Sequence, residues 1–119
     1  MVASDITDRV FAIGPHIRYV AVRDGQDLHL ASREGLHGAS FPDSDRYEEL
    51  LVNPTLLTLT RQRGDIDCGG LDFVLVGYGN FRQLVIPTAT GHVSIAMEKE
   101  AVSIEGFDEI LGVVSTALQ

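Results

Sequence analysis

The sequence predicts an α+β fold: a central antiparallel five-stranded sheet with helices packed on it, in the order α-β-β-α-β-β-β-α. Three observations predict it. Strand-like runs fall in two groups, residues 17–32 and 71–97, each divided by short turns containing glycine. A helical stretch, residues 43–70, separates the groups. A closing stripe, Ile104, Phe107, Ile110, Leu111, Val114 and Leu118, recurs at helical spacing. Antiparallel strand runs with helices set between them pack as sandwiches of two or three layers. The chain has 119 residues, the size of one domain (1–119), and folding at that length buries roughly two thirds of the unfolded surface.

In chain order, Ser4 or Asp5 is expected to cap a first helix, with Ile6, Val10 and Ile13 on one face and Gly14-Pro15 ending it. Residues 17–23 (IRYVAVR) and Asp27–Ser32 read as a hairpin turned at Asp24-Gly25, with Leu28 and Leu30 on one face and His29 and Ala31 on the other. Residues 33–42 form a loop. Asp43 or Ser44 caps the central helix, with Asp45, Glu48 and Glu49 at its positive end. Tyr47, Leu50, Leu51 and Leu57 are expected to share a face. Pro54 has no N–H to donate and crowds the preceding turn, so Asn53-Pro54 predicts either a kink or two short helices. Arg61 and Arg63 complement the helix C-terminus, and Gly64 stands at its end. Residues 71–78 (LDFVLVGY) are the strongest strand signal, suited to a strand covered on both faces or paired with another subunit. Residues 81–86 and 92–97 complete a three-stranded meander, and Ser103 caps the last helix.

Composition narrows function. The net charge is −8, which argues against non-specific nucleic-acid binding, since phosphates are neutralised by Lys and Arg. One cysteine forms no intramolecular disulfide, the N-terminus does not read as a signal peptide, and no apolar run reaches the roughly 20 residues of a membrane helix. The expectation is a cytoplasmic protein with no membrane partner. Asp65, Asp67 and Cys68 form a candidate functional loop ending in Gly69-Gly70. The plainer reading is that the glycines turn the chain, the acids are solvated and Cys68 packs as a small apolar side chain. One cysteine and four scattered histidines do not make a zinc set, so no metal and no cofactor is expected. No nucleophile–base pair is visible, and the expectation is not an enzyme.

The element order resembles the Roadblock/LC7 superfamily and is close to profilin and longin-type sandwiches. The runs RYVAV (18–22), REGL (33–36), YEELLVNP (47–54), QRGDIDCGGL (62–71) and YGNF (78–81) further resemble a family of small archaeal proteins with no activity to transfer. The Roadblock resemblance implies a homodimer in which central helices pair and middle strands join edge to edge. It implies a non-catalytic scaffold or regulator acting on a small Ras-like GTPase. Carried onto this chain, the interface residues are Tyr47, Leu50, Leu51 and Leu57 on the helix, with Leu71, Phe73, Leu75 and Tyr78 on the strand. The alternative is a small-molecule sensor of the PAS or GAF kind, with Asp72, Arg82 or His92 facing inward as its polar groups.

Overall fold

The computed structural model describes residues 2–100 and 104–119. The elements are α1 (Ala3–Phe11), β1 (Ile17–Asp24), β2 (Asp27–Ser32), α2 (Pro42–Tyr47), a π-helical turn (Glu48–Val52), α3 (Asn53–Asp67), β3 (Val74–Gly77), β4 (Arg82–Pro87), β5 (Gly91–Met97) and α4 (Ile104–Ala117). The five strands form one antiparallel sheet in the order β2-β1-β5-β4-β3. The expected fold class and element order are therefore present. The first hairpin pairs Asp24 with Asp27, so its two-residue turn is Gly25-Gln26, with Gly25 at φ +62°.

Side chains alternate across each strand, and the two sheet faces differ in kind. One face is wholly apolar. Val20, Val22, Leu84, Ile86, Val93, Ile95 and Met97 pack against Ile6 and Val10 of α1 and Ile110 and Val114 of α4. Phe107, Leu111 and Leu118 cover its margin, as the closing stripe predicts. Ser103 and the side chain of Ile104 lie outside the described residues. The opposite face carries Tyr19, Ala21, Gln83, His92, Ser94 and Ala96 beneath the central helix, which makes three layers.

The helix ends depart from expectation. Val2 precedes α1 without a side-chain cap, so Ser4 and Asp5 lie inside the first turn; there Asp5 pairs with Arg9 at 3.3 Å. Phe41 precedes α2 and Pro42 opens it, where a fixed φ and a missing N–H suit the first turn better than Asp43 or Ser44 would.

Asn53-Pro54 neither splits the central helix nor caps a second one. The helix widens by one π turn just before the proline. The Asn53 N–H bonds to Glu48 O, five residues back, and Pro54 offers no N–H to the Glu49 carbonyl. Arg23 of β1 supplies the missing donors, its Nη1 lying 3.4 Å from Glu49 O and 3.5 Å from Leu50 O. A kink-forming proline is thus absorbed by a cation from the sheet.

At its far end α3 runs through Gly64 to Asp67. Gly64 is a point of close approach: a Cβ there would lie 2.7 Å from Gly70 O. The helix stops instead at Gly69 and Gly70, with φ of +81° and +95°. Arg61 turns away from the helix end to bond Thr88 O at 3.2 Å, and Arg63 pairs with Asp67 at 2.6 Å.

The loop between β2 and α2 is held by two arginines. Arg33 Nε donates to Ile17 O at 2.6 Å, its Nη2 donates to Phe11 O and Gly14 O, and its guanidinium lies 4.9 Å from the Phe11 ring centroid. Arg18 sits at a bulge in the β1–β5 pairing. The extra residue re-aims its side chain, whose Nη1 reaches Glu98 at 2.9 Å and Nη2 reaches His37 O at 2.9 Å.

Candidate functional site

The sheet face under the central helix holds a buried polar cluster that hydrophobic periodicity does not reveal. Glu49 lies on the π turn and is fully buried. It accepts hydrogen bonds from Tyr19 Oη and from Asn53 Nδ2 at 2.7 Å, and its Oε1 lies 2.8 Å from His92 Nε2. Asn53 Nδ2 also reaches Ser94 Oγ at 3.2 Å, and Gln83 Nε2 donates to the same hydroxyl. The helix therefore presents Glu49, Asn53 and Leu57, at i, i+4 and i+8, to the sheet. The expected shared face of Tyr47, Leu50, Leu51 and Leu57 is corrected: Leu57 is buried, whereas Tyr47, Leu50 and Leu51 are exposed. A buried carboxyl is retained because its partners satisfy it.

Beside this cluster a cleft opens between the sheet and the segment 33–48. One lobe, of about 320 Å³, is lined by Arg18, Tyr19, Ser40, Asp45, Phe81 and Gln83 among others. A second, of about 480 Å³, shares Tyr19, Ser40, Asp45, Phe81 and Gln83 and adds Tyr47, Glu48, Tyr78 and Asn80. The rings of Tyr78 and Phe81 meet edge to face, with centroids 5.5 Å apart. Tyr78 Oη donates to Glu48 at 2.9 Å, tying the β3–β4 turn to the helix. Ser40 donates to Asp45.

Burial pushes the carboxyls of Asp45 and Glu48 above the ordinary range, and the nearby charge of Glu49 adds to both shifts. The hydrogen bonds from Ser40 and Tyr78 oppose part of this. Tyr19 is pushed far up, chiefly by burial and then by the charge of Glu49. Tyr78 is pushed up to about 12 by burial first and by its bond to Glu48 second. A phenol whose folded-state pKa is raised contributes stability that is present below pH 10 and is lost as pH rises through about 12. Tyrosinate absorbance should accordingly show a component near pH 12 that disappears in Tyr78→Phe. Persistence of that component in the variant would remove the Tyr78–Glu48 bond from the picture.

The other candidates disperse. Asp65 and Asp67 are helical, not loop residues, and Cys68 is exposed at the helix end instead of packed, 3.4 Å from Asp67 Oδ1. The ion pair with Arg63 holds the Asp67 carboxyl below the usual range. Asp72 is exposed, Arg82 is half-buried, and only His92 of the three sensor candidates is fully inside. Among the described residues, no group of three or more His, Cys, Asp or Glu side chains stands ready for a metal ion. Nor is any helix among them long and apolar enough to cross a membrane.

The strand expected over residues 71–78 is only Val74–Gly77, and it is the sheet's edge, with Leu71 half-buried and Phe73 exposed ahead of it. Phe73, Leu75 and Tyr78 are 36%, 40% and 37% exposed. On the central helix, Tyr47, Leu51, Leu59 and Ile66 are each more than half exposed, as is Phe41 just ahead of it. The chain returns from α3 by packing Gly70 on Gly64, and Tyr78 bonds Glu48, so the two flanks of β3 are tied to the central helix. The missed residues that matter, Glu49, Asn53, Gln83 and Ser94, left one sequence signal: polar side chains at helical or alternate-residue spacing inside otherwise apolar elements. No family model and no curated protein matches the chain.

Proposed function

We propose that this chain is a non-enzymatic, homodimerising regulatory or scaffold module of the Roadblock/LC7 kind, acting on a small Ras-like GTPase. One observation carries the dimer: the sheet ends in an apolar edge strand, β3, and the central helix exposes apolar side chains at Tyr47, Leu51, Leu59 and Ile66. Edge strands in monomers are usually blunted by charge, proline or cover, and Val74-Leu75-Val76-Gly77 has neither charge nor proline. The opposite edge, β2, carries Asp27 and His29. Two copies related by a twofold axis would pair β3 with β3 and helix with helix, an isologous interface that satisfies both features together. A stable interface buries about 1,200–2,000 Å² in total.

Native mass spectrometry at micromolar concentration should give a dimer. Leu51→Glu and Leu59→Glu alter exposed side chains, so the fold should persist while dimer affinity falls about tenfold or more. A wild-type monomer under these conditions would overturn the dimer. For the partner, immobilised protein should capture a small Ras-like GTPase in one nucleotide state and not the other. Equal or absent capture removes the GTPase from the reading.

A second reading is favoured by one observation, the aromatic cleft over the sheet: a domain that senses a small molecule bound between sheet and helix.

A further inference from the structure

The cleft's chemistry specifies a ligand class, and this inference rests on the ligand-sensing reading. Its larger lobe, about 480 Å³, lies within the size range of small-molecule sites. Three features converge there. Aromatic rings wall it: Tyr19, Tyr78 and Phe81. Ring faces attract cations, most strongly where water is displaced, and the Phe81 ring already has the Arg18 guanidinium 5.5 Å from its centroid. Two carboxyls, Asp45 and Glu48, line it, and among the described residues neither has a basic side chain within salt-bridge distance. The arginines that line the adjoining lobe are held elsewhere, Arg18 by Glu98 and the His37 carbonyl and Arg33 by the carbonyls of Ile17, Phe11 and Gly14.

The third feature is independent of the acids. Gln83 is 2% exposed and lines both lobes. Its amide nitrogen is taken by Ser94, and among the described residues its Oε1 accepts no hydrogen bond. An amide oxygen left open at a cavity wall is an acceptor available to a donor on a ligand. Anions are disfavoured by the two carboxyls, and a neutral apolar guest would leave the Gln83 oxygen unpaired and both carboxyls, which hold only the neutral donors Ser40 and Tyr78, without a counter-charge. A primary ammonium group answers all of these: its three N–H donors suit Asp45, Glu48 and Gln83, and its charge suits the rings.

We propose that this cleft binds the primary alkylammonium group of a ligand. The raised carboxyl pKa values fit the same picture, since a half-buried carboxylate with no counter-charge is relieved by an incoming cation.

The test is a titration of ¹⁵N-labelled protein with n-butylammonium chloride, followed by amide shifts, with butan-1-ol as the neutral probe of matching shape. Saturable shifts confined to the cleft are expected with butylammonium and at least tenfold weaker ones with butanol. Glu48→Gln should weaken butylammonium about tenfold, and Gln83→Leu should do likewise, each with the wild-type far-UV spectrum. Nα-acetyl-lysine methylamide separates two sources of the group. Tighter binding than butylammonium assigns a lysine of a peptide, and weaker binding assigns a free amine. Equal binding of butanol and butylammonium would overturn the ammonium assignment and leave a ligand-binding cleft. No response to any probe would overturn both the assignment and the sensing reading. Shifts unchanged by Glu48→Gln and Gln83→Leu would place binding outside the cleft and overturn the proposal.

Discussion

Glu49→Ala should destabilise the fold by about 3–5 kcal/mol, because it removes the shared acceptor of a buried network. Tyr19, Asn53 and His92 all direct a polar atom at this carboxyl, and Glu49 is fully buried. Without it these groups stay desolvated and lose their partner. Domains of this size are stable by about 5–15 kcal/mol, so the variant sits near the margin of folding. Glu49→Gln keeps an acceptor oxygen at nearly the same volume but adds an N–H₂ that must find a partner, and a smaller loss, about 1–2 kcal/mol, is expected. Urea unfolding of the wild type and both variants gives the ranking. An alanine variant as stable as the wild type would mean that the helix does not rest on this carboxyl.

Gly91→Ala should cost about 3 kcal/mol through a different mechanism, the separation of two central strands. Gly91 opens β5 opposite Asp24 of β1. A Cβ built there would lie 2.1 Å from the Arg23 carbonyl oxygen and 2.8 Å from its carbon. Backbone gives way less readily than a side chain, and Arg23 also serves the central helix through Glu49 O and Leu50 O. The damage should therefore spread from the sheet to the π turn. Gly112→Ala is the contrasting case. It lies within α4 with nothing near its missing Cβ, so it should stabilise by about 0.5–1 kcal/mol through helix propensity. Thermal unfolding followed by circular dichroism reads both. A neutral Gly91→Ala would contradict the strand spacing described.

The hairpin Ile17–Ser32, the meander and the closing stripe were legible because each is a local pattern: period two broken by a glycine turn, or period 3.6 sustained over four turns. The central helix resisted reading because its buried face is polar. Hydrophobic spacing picks out Tyr47, Leu50 and Leu51, and these point to solvent, whereas Glu49 and Asn53 face the sheet. Gly64 looked like a helix end because the sequence does not reveal that Gly70 comes back onto it. Pro54 looked like a break because its remedy, Arg23, lies 31 residues upstream on another element. The cleft was invisible for the same reason: Tyr19, Asp45 and Gln83 meet only after the sheet has formed. What periodicity cannot carry is any feature whose partners are joined by tertiary contact alone.

The strand order also sets a timetable. β1 pairs along its length with β5, so residues 17–24 wait for residues 91–97 before the sheet can close. During synthesis α1, the first hairpin and the central helix emerge early, with one edge of β1 unmatched and the apolar floor covered only in part, by α1, until α4 follows. Closing a loop of this length is an entropic barrier that precedes its reward, and such non-local pairings slow folding toward milliseconds and beyond. The early hairpin would therefore spend that interval with the free edge of β1 and the part of its apolar face that α4 covers open to neighbouring nascent chains, and crowding on polysomes would be the condition under which this fold is most exposed to misassembly.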